Sequence, residues 1–164
     1  MDGEGKIVLV LGGARSGKSE FAEKYVLHAG AVCGYIATAE ILDAEMAERV
    51  RLHRERRKKR WITFEAPYHA EDVFPEAGAR TDAILFDDIT LYLSNMLYGN
   101  NAPEGSTAEK GGYVKKQIAL LLDAAKKCCR RRYLLRVFNL TQPAASFPLK
   151  CSLGAVLNLN KFGI

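Results

Sequence analysis

The chain alternates between short apolar runs and stretches in which apolar residues recur every three or four positions. The run at 7–11 is bounded by polar residues and predicts a buried parallel strand. A helical pattern follows it to about residue 27, and the run at 32–38 predicts a second buried strand. This alternation is typical of α/β domains, in which helices cover both faces of a mostly parallel sheet.

The same alternation continues as far as residue 138. Before residue 89 the pattern predicts a helix from Asp43, a strand at 61–65, a short helix at 70–77 and a buried strand at 81–88. Beyond it the pattern predicts a helix at 91–97, a loop at 99–112, an amphipathic helix at 114–129 and a strand at 133–138. Residues 139–164 follow neither period. We therefore expect one domain at 1–138 and an irregular C-terminal tail at 139–164.

Composition indicates the compartment and the kinds of partner that such a domain has. The four cysteines lack C-x-x-C spacing, which favours a reducing compartment over a disulfide scaffold or zinc site. No apolar stretch has the length of a membrane span, so we expect a cytoplasmic protein. The formal net charge of +5 reflects basic runs at 49–60 and 126–136. Such runs are usually solvated helix faces, and we expect no nucleic-acid partner.

The most specific pattern follows the first strand. Gly12, Gly17, Lys18 and Ser19 match the phosphate-loop pattern G-x-x-x-x-G-K-S. In such a loop, backbone N–H groups face phosphate oxygens, the lysine reaches the outer phosphates and the hydroxyl ligates Mg²⁺. The whole predicted loop comprises Gly12, Gly13, Ala14, Arg15, Ser16, Gly17, Lys18 and Ser19. It predicts a nucleoside triphosphate site, the alternative being a glycine turn before a helix.

Two further parts of the sequence contain candidates for metal-binding or catalytic residues. The strand at 81–88 ends in two carboxylates, and we expect Asp87 to hold the Mg²⁺ shell while Asp88 caps the next helix. A capping role for Asp87 is the alternative. His53 lies on the apolar stripe of a charged helix, where a histidine is more often structural than catalytic.

Three stretches together resemble the bifunctional cobalamin-biosynthesis family adenosylcobinamide kinase/adenosylcobinamide-phosphate guanylyltransferase. The first is Gly-Gly-Ala-Arg-Ser-Gly-Lys-Ser at 12–19. The second is Tyr-Ile-Ala-Thr at 35–38, followed by Asp-x-Glu-Met-x-x-Arg at 43–49, His53-x-x-x-Arg57 and Trp-x-Thr-x-Glu-x-Pro at 61–67. The third is Asp-x-x-Thr-x-x-Leu-Ser-Asn at 87–95. The resemblance covers residues 6–132.

This resemblance implies a P-loop NTPase fold of the RecA-like recombinase type and two reactions. The first is phosphorylation of adenosylcobinamide with ATP or GTP, and the second is transfer of GMP from GTP to that phosphate through His53. The catalytic residues would be His53 and Lys18. The metal ion would be Mg²⁺. The resemblance also implies a homotrimer and further nucleotide-binding residues, namely Ala37, Thr38, Arg54, Arg57 and Glu65.

The tail departs from this family. Its members continue after the fourth strand with a long helix and a last strand, which residues 139–164 do not resemble, so we expect incomplete C-terminal elements. Two other functions therefore stay open from the sequence. One is a generic P-loop small-molecule kinase, and the other is an inactive nucleotide-binding remnant.

Overall fold

The computed structural model describes residues 7–12, 16–41, 43–56, 60–128, 134–139 and 155–158. Six strands are described, namely β1 Ile7–Gly12, β2 Cys33–Ala37, β3 Trp61–Glu65, β4 Ala83–Asp87, β5 Leu134–Asn139 and β6 Ala155–Asn158. Five α-helices are described with them, namely α1 Lys18–Ala29, α2 Ala44–Arg56, α3 Phe74–Arg80, α4 Ile89–Tyr98 and α5 Thr107–Cys128. A short 3₁₀ turn, Ala70–Asp72, precedes α3.

The strands form one sheet in the order β3-β2-β4-β5-β1-β6. Each pairing from β3 to β1 is parallel, and β6 alone runs antiparallel to its neighbour β1. The predicted α/β architecture with a mostly parallel sheet is therefore confirmed. In this order β5 separates β1 from β4, so the strands that end at the predicted loop and at Asp87 flank a common neighbour.

Strand alternation divides the core into two layers, one on each face of the sheet. Ile36 and Phe86 point into a cluster that includes residues of α3, α4 and α5. Tyr35 and Leu85, their neighbours along the chain, point into a second cluster formed with α1. Successive residues of a strand face opposite sides, so these apolar strands need helices on both faces.

The prediction of an irregular tail is wrong for residues 155–158, which form β6. Four residues are too few to show a period, and their strand conformation depends on pairing with residues 8–11 of β1. Residue 139 belongs to β5. The remaining positions of the predicted tail lie outside the described residues, and the incomplete C-terminal elements stay a prediction.

Two helix boundaries also differ from the sequence prediction. α5 begins at Thr107, inside the predicted loop at 99–112, because Ser106 and Glu109 form a capping box. The Glu109 carboxylate accepts a hydrogen bond from the Ser106 N–H at 2.8 Å. The short helix predicted at 70–77 is instead a 3₁₀ turn followed by α3. Pro75 lies in the first turn of α3, the part of a helix that tolerates a residue without an N–H.

The basic run at 49–60 contributes to intrachain contacts. Arg51 forms ion pairs with Glu48 at 2.6 Å and with Glu55 at 2.7 Å on the same helix. The Arg60 guanidinium donates to the Leu27 carbonyl at 2.6 Å, beside the C-terminal end of α1. Arg51 fits the predicted solvated helix face, whereas Arg60 lies just before β3. Within the described ranges, the helices are all too short or too polar to cross a membrane.

Candidate functional site

The predicted phosphate loop connects β1 to α1. A Cβ atom on Gly12 would overlap the Ser16 Oγ, so a larger residue at this point would displace the Ser16 side chain. Gly17 has φ 79°, a left-handed conformation that favours glycine, and α1 begins at the next residue. The first turn of an α-helix leaves N–H groups without intrahelical partners, which suits anion binding. Residues 13–15, which include Ala14 and Arg15, lie outside the described residues.

Lys18 lies in the first turn of α1 with only 7% of its surface exposed. Burial raises the pKa of Asp88, and the Leu91 N–H and the Lys18 ammonium group oppose that rise. The positive charge of Lys18 therefore acts on Asp88, just after the end of β4. Ser19, the predicted Mg²⁺ ligand of the loop, is exposed beside it.

The acidic turn consists of Asp87, which ends β4, and Asp88. The Tyr35 hydroxyl of the neighbouring strand donates a hydrogen bond to the Asp87 Oδ2. Asp88 is the N-cap of α4, and its carboxylate accepts from the Leu91 N–H at 2.6 Å. The predicted capping role of Asp88 is therefore confirmed, and a metal role for Asp87 stays a prediction.

Thr38 holds the backbone of this turn. Its side chain is completely buried, and its Oγ1 accepts from the Asp88 N–H at 2.8 Å. The same hydroxyl lies 2.9 Å from the carbonyl oxygens of Asp87 and Asp88 and donates to this pair. The Thr38 side chain thus contacts the turn that carries the carboxylates, and a direct contact with nucleotide stays a prediction.

Asn95 connects α4 to the segments that follow β2 and β3. Its Nδ2 donates to the Thr38 carbonyl at 2.7 Å and to the Pro67 carbonyl at 3.1 Å. The side chain is 6% exposed and lies on the buried face of α4 with Tyr92 and Met96. A buried amide requires hydrogen-bond partners, so this position fixes the loops that follow β2 and β3.

Strand register brings several predicted residues to one edge of the sheet. Ala37 of β2 pairs with Glu65 of β3 on one side and with Asp87 of β4 on the other. Gly12 ends β1 at the same edge, since β1, β5 and β4 are parallel neighbours. The carboxyl ends of parallel strands are where open α/β sheets bind ligands.

Three predicted site residues lie on or after α2. The backbone of His53 and Arg54 belongs to α2, but their side chains are outside the described part of the chain, as is Arg57. The described side chains of α2 are exposed, apart from the half-buried Val50.

The sequence prediction missed the roles of Tyr35 and Asn95, although both lie in stretches that carry the family resemblance. The available signal was a polar group at a position that the apolar pattern places inside the core. Tyr35 lies in a buried strand, and Asn95 falls on the apolar face of a helix. Which partner each side chain binds depends on the pairing of β2 with β4, which no local pattern contains.

Known proteins resemble this chain over most of its length. The sequence model of the cobinamide kinase / cobinamide phosphate guanyltransferase family matches residues 8–137. The chain is 39% identical over 126 residues to the bifunctional adenosylcobalamin biosynthesis protein CobU of Salmonella typhimurium, covering 74% of this chain and 69% of that protein. It is 42% identical over 89 residues to CobP of Pseudomonas aeruginosa, covering 54% and 51%. CobU of Escherichia coli is 33% identical over 126 residues.

A solved structure resembles this chain in its fold. The crystal structure of the RadB recombinase matches with a TM-score of 0.53, covering 90% of this chain and 67% of that chain at 15% sequence identity. At this level of identity the likeness shows the fold alone. The expected RecA-like recombinase type of α/β fold is thereby confirmed.

Proposed function

Because the chain belongs to the cobinamide kinase / cobinamide phosphate guanyltransferase family, we propose that it phosphorylates adenosylcobinamide and then transfers GMP from GTP to the product. Family membership confirms the predicted resemblance and the predicted enzyme class, a transferase of cobalamin biosynthesis. The two substrates and the order of the two steps are the proposal.

The observation that supports the proposal most is the convergence of the loop and the acidic turn. Lys18 is buried at the start of α1, and its charge acts on Asp88 from across the sheet edge. In the first step, the loop N–H groups and Lys18 would bind the outer phosphates of ATP or GTP while the corrinoid hydroxyl attacks the terminal phosphorus. The new P–O bond forms as the bond to the leaving diphosphate breaks.

The residues at this edge fit a Mg²⁺ ion. Ser19 offers a hydroxyl oxygen and Asp87 a carboxylate oxygen, the hard donors that Mg²⁺ prefers alongside phosphate oxygens and water. We propose that these two residues hold the ion. When bound, Mg²⁺ would neutralise charge on the phosphate oxygens, while Lys18 and the loop hold the nucleotide in line with its acceptor.

For the second step we propose His53 as the nucleophile. Its neutral imidazole would attack the α-phosphorus of GTP, forming a P–N bond as pyrophosphate leaves, and the corrinoid phosphate would then take the GMP. This role is proposed on the family resemblance, in which the histidine of this helix carries the guanylyl group.

The remaining predicted residues would hold the guanine nucleotide. We propose that Ala37 and Glu65 contact it from the sheet edge and that Arg54 and Arg57 neutralise phosphate charge from the α2 side. Thr38 would act through the acidic turn that its hydroxyl binds. A homotrimer in the cytoplasm is proposed on the family resemblance, and the free thiols of Cys33 and Cys128 fit a reducing compartment.

The test is the identity of the corrinoid product. Purified protein is incubated with adenosylcobinamide, Mg²⁺ and GTP, and the products are separated and weighed by mass spectrometry. The proposal predicts adenosylcobinamide-GDP. Product that stops at the phosphate would indicate a kinase alone, and GTP binding without any product would indicate an inactive remnant.

A further inference from the structure

Tyr35 is a buried tyrosine whose hydroxyl reaches the acidic turn. Only 6% of the residue is exposed, and its ring lies in the core cluster on the α1 face of the sheet. The ring meets that of Trp61 edge to face, with centroids 6.0 Å apart and planes at 83°. Packing on this neighbour fixes the direction of the phenol, so the hydroxyl is held beside the Asp87 Oδ2.

Asp87 is restrained from two directions. Thr38 binds the backbone of the acidic turn, and Tyr35 binds one carboxylate oxygen. An O–H donor on an ionised acceptor forms one of the stronger protein hydrogen bonds and limits rotation of the carboxylate. The Asp87 residue itself is half-buried.

We propose that Tyr35 is a positioning residue that orients the Asp87 carboxylate toward the Mg²⁺ ion of the bound nucleotide. This inference rests on the proposed metal role of Asp87. Groups that hydrogen-bond to a metal-binding carboxylate set its direction, and their loss typically lowers metal affinity by about 10- to 100-fold. The competing explanation is that the hydroxyl only satisfies a buried polar group.

Tyr35→Phe separates these explanations, because it keeps the ring packed on Trp61 and removes only the hydroxyl. The readout is the affinity for a fluorescent GTP analogue, measured by anisotropy in EDTA and over a series of Mg²⁺ concentrations. We expect affinity in EDTA to be unchanged, since the phosphate loop is intact. The Mg²⁺ concentration that gives half of the metal-dependent gain should rise by about 10-fold.

Tyr92→Phe is the matched control. Tyr92 is buried as well, but its hydroxyl accepts from the Ala70 N–H at 3.0 Å and donates to the Glu71 carboxylate at 3.3 Å instead of to Asp87. We expect this variant to lower the melting temperature and to leave the Mg²⁺ dependence at the wild-type value. An equal Mg²⁺ shift in both variants would overturn the positioning role.

Asp87→Asn and the double variant complete the test. If Tyr35 acts through Asp87, Tyr35→Phe should add no further Mg²⁺ shift in the Asp87→Asn background. A normal Mg²⁺ dependence in Asp87→Asn would contradict the proposed metal role of Asp87 itself. A shifted Asp87→Asn with a normal Tyr35→Phe would overturn only the positioning of that carboxylate by Tyr35.

Discussion

A buried ammonium group connects the two halves of the site at the residue scale. Lys18 is 7% exposed, and removing a lysine from water is costly unless opposite charge lies nearby. The Asp88 carboxylate provides opposite charge, and the Lys18 ammonium group opposes the rise in the pKa of Asp88 that burial causes. The charge that would meet phosphate oxygens thus interacts with the turn that would hold the metal ion.

Lys18→Ala should abolish phosphorylation and guanylyl transfer, because both reactions need the nucleotide phosphates in the loop. We expect a loss of at least about 100-fold in turnover, as for the removal of one charge-stabilising group. Product formation measured by mass spectrometry checks this. Lys24→Ala is the control, since Lys24 is an exposed lysine of the same helix paired with Glu20. Wild-type turnover in Lys18→Ala would remove the loop from the mechanism.

The role of a residue could be predicted from the sequence where its partner is close to it in the chain. Asp88 is one residue from the helix that it caps, and its role is confirmed. Tyr35 lies 52 positions from Asp87, and its partner depends on how β2 and β4 align. Such long-range pairing leaves no signal in a single sequence beyond a polar group at a buried position. The proposed catalytic roles of Lys18 and His53 stay predictions.

At the scale of the elements, the start of α5 shows how a local cap outweighs a poor helix composition. The helix spans Thr107–Cys128 and contains Gly111 and Gly112, which end the Gly-, Asn-, Pro- and Ser-rich stretch predicted as a loop. Each glycine weakens a helix by about 1 kcal/mol relative to alanine. The capping box at Ser106 and the burial of Leu121 and Ala125 offset this cost.

Ser106→Ala should destabilise the domain through this cap, lowering the melting temperature by about 3 °C. The Ser106 hydroxyl and N–H hold the pKa of Glu109 below its usual range. An acid whose pKa is lowered on folding stabilises above its unfolded pKa, and that contribution is lost as pH falls through the folded pKa. The difference between wild type and variant should therefore be largest near neutral pH and shrink in acid.

Thermal melts at several pH values check this prediction. Ser94→Ala serves as the control, because Ser94 is an exposed residue in the interior of α4. A difference between wild type and Ser106→Ala that grows as pH falls would contradict the capping role of Glu109.

The apolar pattern located β1 to β5 to within a few residues, because short apolar runs between polar segments are explicit in the sequence. β6 was not predicted. Its four residues are defined by their partner strand, and an antiparallel neighbour of β1 can come from any later part of the chain. Helix ends were less accurate where they depend on a particular cap.

At the scale of the whole molecule, β6 gives β1 a second neighbour. β1 lies between β5 and β6 and leads directly into the phosphate loop. Without β6, the N–H and C=O groups along one side of β1 would lie at the edge of the sheet. The C-terminal part of the chain therefore contributes to the strand that positions Gly12.

A chain that ends at residue 150 should show this dependence. Loss of the β1–β6 pairing should lower the melting temperature by about 5 °C or more and weaken GTP binding. The control is a chain that ends at residue 160, which keeps β6. Melting curves and nucleotide titrations of both chains give the answer, and a chain ending at 150 that behaves like the full-length protein would show that β6 is dispensable.

Labelling with GTP that carries ³²P at the α-phosphate tests the central claim, that GMP passes through His53, most directly. The wild-type protein should take up label in an acid-labile and base-stable linkage, as expected for a P–N bond. His53→Ala should take up none while still forming adenosylcobinamide phosphate, and His28→Ala, a substitution of an exposed histidine on α1, should label normally. Label retained by His53→Ala would contradict the account and return that residue to a structural role.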